Sequence, residues 1–120
     1  MNDKTTRTQI FFNPECSKCR LTLNLLNDHD VSPDVIEYLS TPPDFNTLKH
    51  LLQLLGLPAD SLMRKGESIY NELGLANKDL DENELIQTMV DNPVLIERPI
   101  VVHNGKAIIG RPPERVLDIL

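Results

Sequence analysis

No stretch of this 120-residue chain comes near the roughly eighteen consecutive apolar residues that a membrane-spanning helix needs, so none is expected. The opening MNDKTTRTQ is too polar to read as a secretory leader. A soluble cytoplasmic protein is the expectation. Positive charge is also short: twelve Lys and Arg stand against eighteen Asp and Glu, a formal net charge of −6. That balance works against nucleic-acid phosphates or a membrane surface as general partners, so any anion site must be local. Histidine is sparse, and His29, His50 and His103 lack the short paired spacing of a zinc finger. Cysteine is scarcest of all, with only Cys16 and Cys19. In a reducing compartment such a pair points to reactive or metal-bound thiols rather than to a permanent bridge.

What is present suffices for one core. At 120 residues and 40% hydrophobic, the chain is expected to form a single domain over residues 1–120. Thr8 to Phe12 (TQIFF) reads as a strand stopped by Asn13-Pro14. From Ser17 to about Asp28, Cys19, Leu23 and Leu26 recur at helical spacing with Leu25 alongside. Val31 to Leu39 supplies a second strand, centred on Val35 to Tyr38, and strand, helix and strand at this spacing form a βαβ unit with parallel strands.

After Thr41-Pro42-Pro43 the pattern turns helical. Phe45, Leu48, Leu52 and Leu55 mark one helix that Gly56 stops, a short segment near Glu67 to Leu73 ends at Gly74, and Asp81 with Glu84 opens another in a capping-box relation, with Leu85, Ile86, Met89 and Val90 on one side. Residues of about 44–91 therefore read as a helical insertion. Pro99 to Val102 and Ala107 to Ile109 flank Asn104-Gly105, the dipeptide of a tight hairpin. Pro112-Pro113 then open a last helix whose expected buried face is Val116, Leu117 and Leu120.

The two cysteines admit several roles: half a metal site, small core residues, a redox pair, or one nucleophile with a bystander. Zinc needs two further ligands that the histidine spacing does not offer. Burial as small core residues remains the plain alternative. Position favours chemistry, because Cys16 sits where a strand ends and a helix begins. The unpaired amides of Ser17, Lys18 and Cys19 should face its sulfur, and Lys18 and Arg20 add positive potential, so thiolate is the favoured form. Cys19, one turn further in, is expected to resolve a mixed disulfide or simply to pack.

Arginine supplies the second signal. Arg98 precedes Pro99 at the start of a strand, Arg111 precedes Pro112 at the start of a helix, and Arg64 lies in LMRKGE within the insertion. Element ends of this kind are where active sites of open α/β sheets collect. Pro99, facing the C-x-x-C helix, is a candidate cis peptide at the site. Each arginine alone reads more readily as a solvated surface charge or a partner for one of the many carboxylates. Beside an activated thiol, the three together suggest an oxyanion pocket, because guanidinium forks bind tetrahedral oxyanions and stabilise charge added during attack.

These residues resemble the arsenate reductases coupled to glutathione and glutaredoxin. The similarity runs through NPECSKCR, VIEYLSTPP, LLGLPADSLMRKGE, YNELGL, NPVLIERPIVV and IGRPPERVLDIL. It implies an α/β, thioredoxin/glutaredoxin-like fold with a mixed sheet, ordered βαβ, helical insertion, ββα. It further implies that Cys16 attacks arsenic, that Arg64, Arg98 and Arg111 hold the oxyanion, and that no metal or bound cofactor is needed. Glutathione as cosubstrate would attack the adduct, arsenite would leave, and glutaredoxin would clear the mixed disulfide. Two positions depart from that family. Phe12 stands where its members carry a histidine that helps the thiol ionise, which leaves helix amides and nearby cations to do so. Cys19 replaces a small hydroxyl residue and permits a Cys16–Cys19 disulfide.

Two other functions fit parts of the pattern. One is a glutaredoxin-like disulfide reductase working through the Cys16–Cys19 pair, its arginines recruiting a glutathione carboxylate. The other is an RNA-polymerase-binding redox regulator of the same fold, which shares the arginine-proline before the third strand. That regulator lacks the GRPPE run of Arg111 to Glu114 and usually carries a basic C-terminal extension not seen after Leu120.

Overall fold

The computed structural model describes residues 8–120. Their contacts group into two compact units, one holding the described residues through Thr41 together with Arg98–Leu120, the other Pro42–Glu97. The insertion expected over about 44–91 lies inside the second unit.

The first unit is built on four strands, β1 (Gln9–Phe12), β2 (Asp34–Glu37), β3 (Ile100–His103) and β4 (Lys106–Ile109), with helix α1 (Ser17–Asp28) between β1 and β2. Their order is β2-β1-β3-β4. β1 pairs with β2 in parallel, Ile10 beside Val35, and with β3 antiparallel, Ile10 beside Val101. β3 and β4 pair antiparallel, Ile100 beside Ile109. A strand with neighbours on both sides reads as a nearly continuous apolar run, and Ile10, Phe11 and Phe12 of β1 are all buried. Edge strand β2 carries no such demand, and its Val35 is exposed. β2 is shorter than the expected Val31–Leu39, because the chain turns immediately after it, with the Ser40 and Thr41 amides both donating to the Glu37 carbonyl.

The β3–β4 turn takes the expected form, with Asn104 at φ 50° and Gly105 at φ 75°, the left-handed pair whose twist matches a two-residue hairpin. The last segment departs from expectation. Pro113–Ile119 is a 3-10 helix, not an α-helix. Three residues per turn stack positions i, i+3 and i+6, so Pro113 and Val116 are buried and Ile119 packs against the core, while Leu117 and Leu120 are exposed. The expected burial of Leu117 and Leu120 assumed the wider α-helical turn.

The second unit holds α2 (Phe45–Leu55), α3 (Ala59–Leu62), α4 (Ser68–Glu72) and α5 (Glu82–Asp91). Asp44 caps α2 by accepting from the Thr47 amide at 2.8 Å, and Gly56 ends it at φ 68°, where a side chain would be strained. Asp81 and Glu84 form the full capping box of α5, each carboxylate accepting the other's amide. Ile86 and Met89 of α5 are buried, whereas Leu85 and Val90 are half-buried. No helix among the described residues is long and apolar enough to cross a membrane.

Candidate active site

The site begins with a turn. β1 stops at Phe12 because Asn13-Pro14 breaks the ladder, and the Asn13 side chain then accepts the Glu15 amide at 3.0 Å while its carbonyl accepts the Cys16 amide at 3.0 Å. Asx turns of this kind substitute a side chain for a turn of backbone. Arg20 fastens the turn from α1, donating through Nη1 to the Pro14 carbonyl at 2.7 Å. The result sets Cys16 as the N-cap of α1 in extended conformation, φ −96° and ψ 120°.

A thiol in that place feels the helix's unpaired N–H groups. Both cysteines are free thiols and both are buried in one apolar cluster with Ile10, Phe12, Leu26, Val101 and Val116. Burial pushes the Cys16 thiol up, but the Cys19 amide, the Cys19 thiol, the Arg98 charge and the Lys18 amide together outweigh it and hold Cys16 below the ordinary cysteine range. The thiolate is favoured. Arg98 supplies a cation, and Lys18 contributes through its backbone amide. Cys19 is the reverse case. Burial, with the Cys16 sulfur beside it, pushes its thiol up to about 12, although the Asn13 amide donates to its Sγ at 3.5 Å. The two sulfurs therefore differ, Cys16 ionising more readily than an ordinary cysteine and Cys19 far less readily.

The expected arginines fall in different places. Arg98 and Arg111 both belong to the first unit, each preceding a cis proline, Pro99 and Pro112. Arg111 Nη1 donates to the Arg98 carbonyl at 3.1 Å, and the Gly110 amide donates to the Pro99 carbonyl at 2.9 Å. Two segments distant in sequence are thus tied side by side. Arg64 belongs to the second unit. There its guanidinium meets Glu67 at 3.0 Å and Glu97 at 3.8 Å, and its amide donates to the Leu95 carbonyl at 2.7 Å. Among the described residues no three His, Cys, Asp or Glu side chains cluster so as to hold a metal.

Two residues of this region were not singled out from sequence. Thr22 is a fully buried hydroxyl on α1, and Gly110 packs against it. A polar residue inside the apolar stripe of Cys19, Leu23 and Leu26, and a glycine directly before Arg111, were the available signals.

A four-stranded mixed sheet in this order, with a buried thiol at the N-cap position of its first helix, defines a thioredoxin-like thiol protein. The model of the ArsC family matches residues 11–119, and the chain belongs to that family. It is 57% identical over 117 residues to the uncharacterised Escherichia coli K12 protein YfgD, covering 97% of this chain and 98% of that one. With an arsenate reductase of Neisseria meningitidis serogroup A it shares 46% identity, covering 93% and 97% of the two chains. Among solved structures, an arsenate reductase from Vibrio cholerae matches with a TM-score of 0.92 at 48% identity, covering 96% of this chain and 98% of its own.

Proposed function

We propose that the protein is a cytoplasmic, thiol-dependent arsenate reductase with Cys16 as its nucleophile. The observation that carries this reading is the lowered Cys16 thiol at the α1 N-terminus, under the charge of Arg98, whose backbone Arg111 holds. The names of the Neisseria and Vibrio relatives supply the substrate. Cys16 Sγ forms a bond to arsenic(V) and an arsenate oxygen leaves as water. A glutathione thiolate then bonds to Cys16 Sγ, the S–As bond breaks with its electron pair passing to arsenic, and arsenite departs. The remaining Cys16–glutathione disulfide is reduced by glutaredoxin. Arg98 and Arg111 stabilise the oxyanion during attack, as fixed guanidinium forks do. Arg64 is engaged by Glu67 and Glu97 within its own unit and is given no part in this step. Arsenate-dependent oxidation of NADPH, coupled through glutathione reductase and glutaredoxin, tests the reading. Turnover by the wild type that Cys16→Ser abolishes supports it, and no turnover at any pH rejects it.

One observation favours a second activity. The Cys19 thiol lies beside the Cys16 sulfur in the same buried cluster, so Cys19, on losing its proton to the departing glutathione thiolate, closes a disulfide on Cys16 that two further glutathione molecules reduce. Reduction of a glutathionylated peptide that depends on Cys19 separates this disulfide-reductase reading from the first.

A further inference from the structure

Gly110 sits where α1, the Arg98-Pro99 segment and Arg111 meet. A Cβ built there would lie 2.7 Å from Thr22 Oγ1, 3.1 Å from Thr22 Cγ2 and 3.0 Å from Pro99 Cγ. The first distance is shorter than non-bonded atoms tolerate, so one partner would have to move. Thr22 cannot swing aside cheaply. It is β-branched on a helix, which restricts χ1, it is fully buried, and its hydroxyl donates to the Lys18 carbonyl at 2.8 Å. The same hydroxyl reaches the Gly110 carbonyl at 3.5 Å. On its other side Gly110 is held by the hydrogen bond its amide donates to the Pro99 carbonyl, and Arg111 follows it directly, tied to the Arg98 carbonyl. Thr22 lies six residues into α1 from its cap Cys16, about 9 Å along the axis at 1.5 Å per residue.

We propose that Thr22 and Gly110 are positioning residues for oxyanion capture: the contact of the Thr22 side chain with a glycine that has none sets how far Arg98 and Arg111 stand from the helix end that carries Cys16. Neither touches the reacting atoms. The absent Cβ lets the arginine-bearing segments close onto α1, and the tethered Thr22 hydroxyl stops them from closing further. This deepens the arsenate reading and rests on it. Forcing the segments apart moves both guanidinium groups relative to the sulfur, while the α1 amides stay with Cys16.

Three variants test the spacing: Gly110→Ala, Thr22→Ala, and the double variant. Each is measured for arsenate KM and kcat, and for protection of Cys16 from iodoacetamide by arsenate, a readout that needs no turnover. Gly110→Ala is expected to raise KM at least about tenfold and to lose protection in parallel, in keeping with the cost of roughly ångström-scale misplacement. Thr22→Ala alone removes the stop and is expected to raise KM about threefold, and the double variant should fall back to near that value, because the Thr22 atoms at 2.7 and 3.1 Å are gone and only the Pro99 Cγ contact at 3.0 Å remains. A merely structural role would reduce the folded fraction, and so apparent kcat, with KM unmoved. An unchanged KM in Gly110→Ala, or a double variant no better than Gly110→Ala, overturns the proposal. Should Gly110→Ala not fold, a soluble double variant with restored KM supports the spacing, and an insoluble one overturns it. Wild-type protein that neither turns over arsenate nor is protected by it removes the underlying reading instead.

Discussion

Arg111 donates through Nη1 to the backbone carbonyl of Arg98 at 3.1 Å, so one arginine's side chain fixes the other's main chain. A guanidinium carries five N–H donors in a rigid fork, and committing one of them to a carbonyl orients the rest. Arg98 in turn acts on the Cys16 sulfur through its charge. Arg98 therefore acts on the sulfur directly, and Arg111 only through the Arg98 backbone it holds.

Arg111→Lys keeps the charge and loses the fork. It is expected to raise arsenate KM about tenfold, as replacing a charge-assisted bidentate contact by a point charge does, while moving the pH profile of Cys16 alkylation less than loss of Arg98 does. Arg98→Ala should raise KM and also move that profile to higher pH. Steady-state kinetics and alkylation of both variants check the separation.

Ionisation also sets how stability follows pH. The folded pKa of Cys16 is depressed, so the thiolate contributes stability that is present above the unfolded thiol pKa and lost as pH falls through the folded one. The Cys19 thiol is raised to about 12, so its contribution holds below the unfolded pKa and is lost as pH rises toward that value. Denaturant unfolding should show wild type gaining on Cys16→Ser as pH rises through the first window. In alkaline solution wild type should lose against Cys19→Ser.

Cys19 helps its partner by donating. Cys19→Ala removes the S–H that lowers the Cys16 pKa, so Cys16 alkylation should shift to higher pH. Cys19→Ser keeps a donor and should stay closer to wild type, with arsenate turnover retained. Equal shifts in the two variants would mean that packing around the sulfur, not hydrogen bonding, sets its ionisation.

Legibility in sequence followed the range of the interactions. Gly56 as a stop, the Asp81 and Glu84 capping box and the Asn104-Gly105 turn were all readable, because each depends on a few adjacent residues. The helix-end position of Cys16 was readable for the same reason. Pro113–Ile119 was misjudged because apolar residues at Val116, Leu117 and Leu120 suit an α-helical stripe, and only the chain's 3-10 path selects Pro113, Val116 and Ile119 instead. The hydrogen bond from Arg111 to Arg98 and the contact of Thr22 with Gly110 join residues far apart in the chain. No local pattern announces either one.

Phe12 illustrates a local signal with a tertiary cause. It is buried in the cluster that holds both sulfurs, so Phe12→His would put an imidazole where an apolar ring packs. The variant is expected to lose about 1–3 kcal/mol of stability, the cost of burying a polar group with poor compensation, measured by denaturant unfolding.

The account turns on one reactive sulfur that receives arsenate. Its most direct test is the rate of iodoacetamide modification of Cys16 across pH, in Cys19→Ser protein, with and without arsenate. The predicted result is a midpoint below that of an ordinary cysteine, with arsenate slowing modification and doing so less in Arg98→Ala. An ordinary cysteine midpoint, with rates indifferent to arsenate, would contradict it.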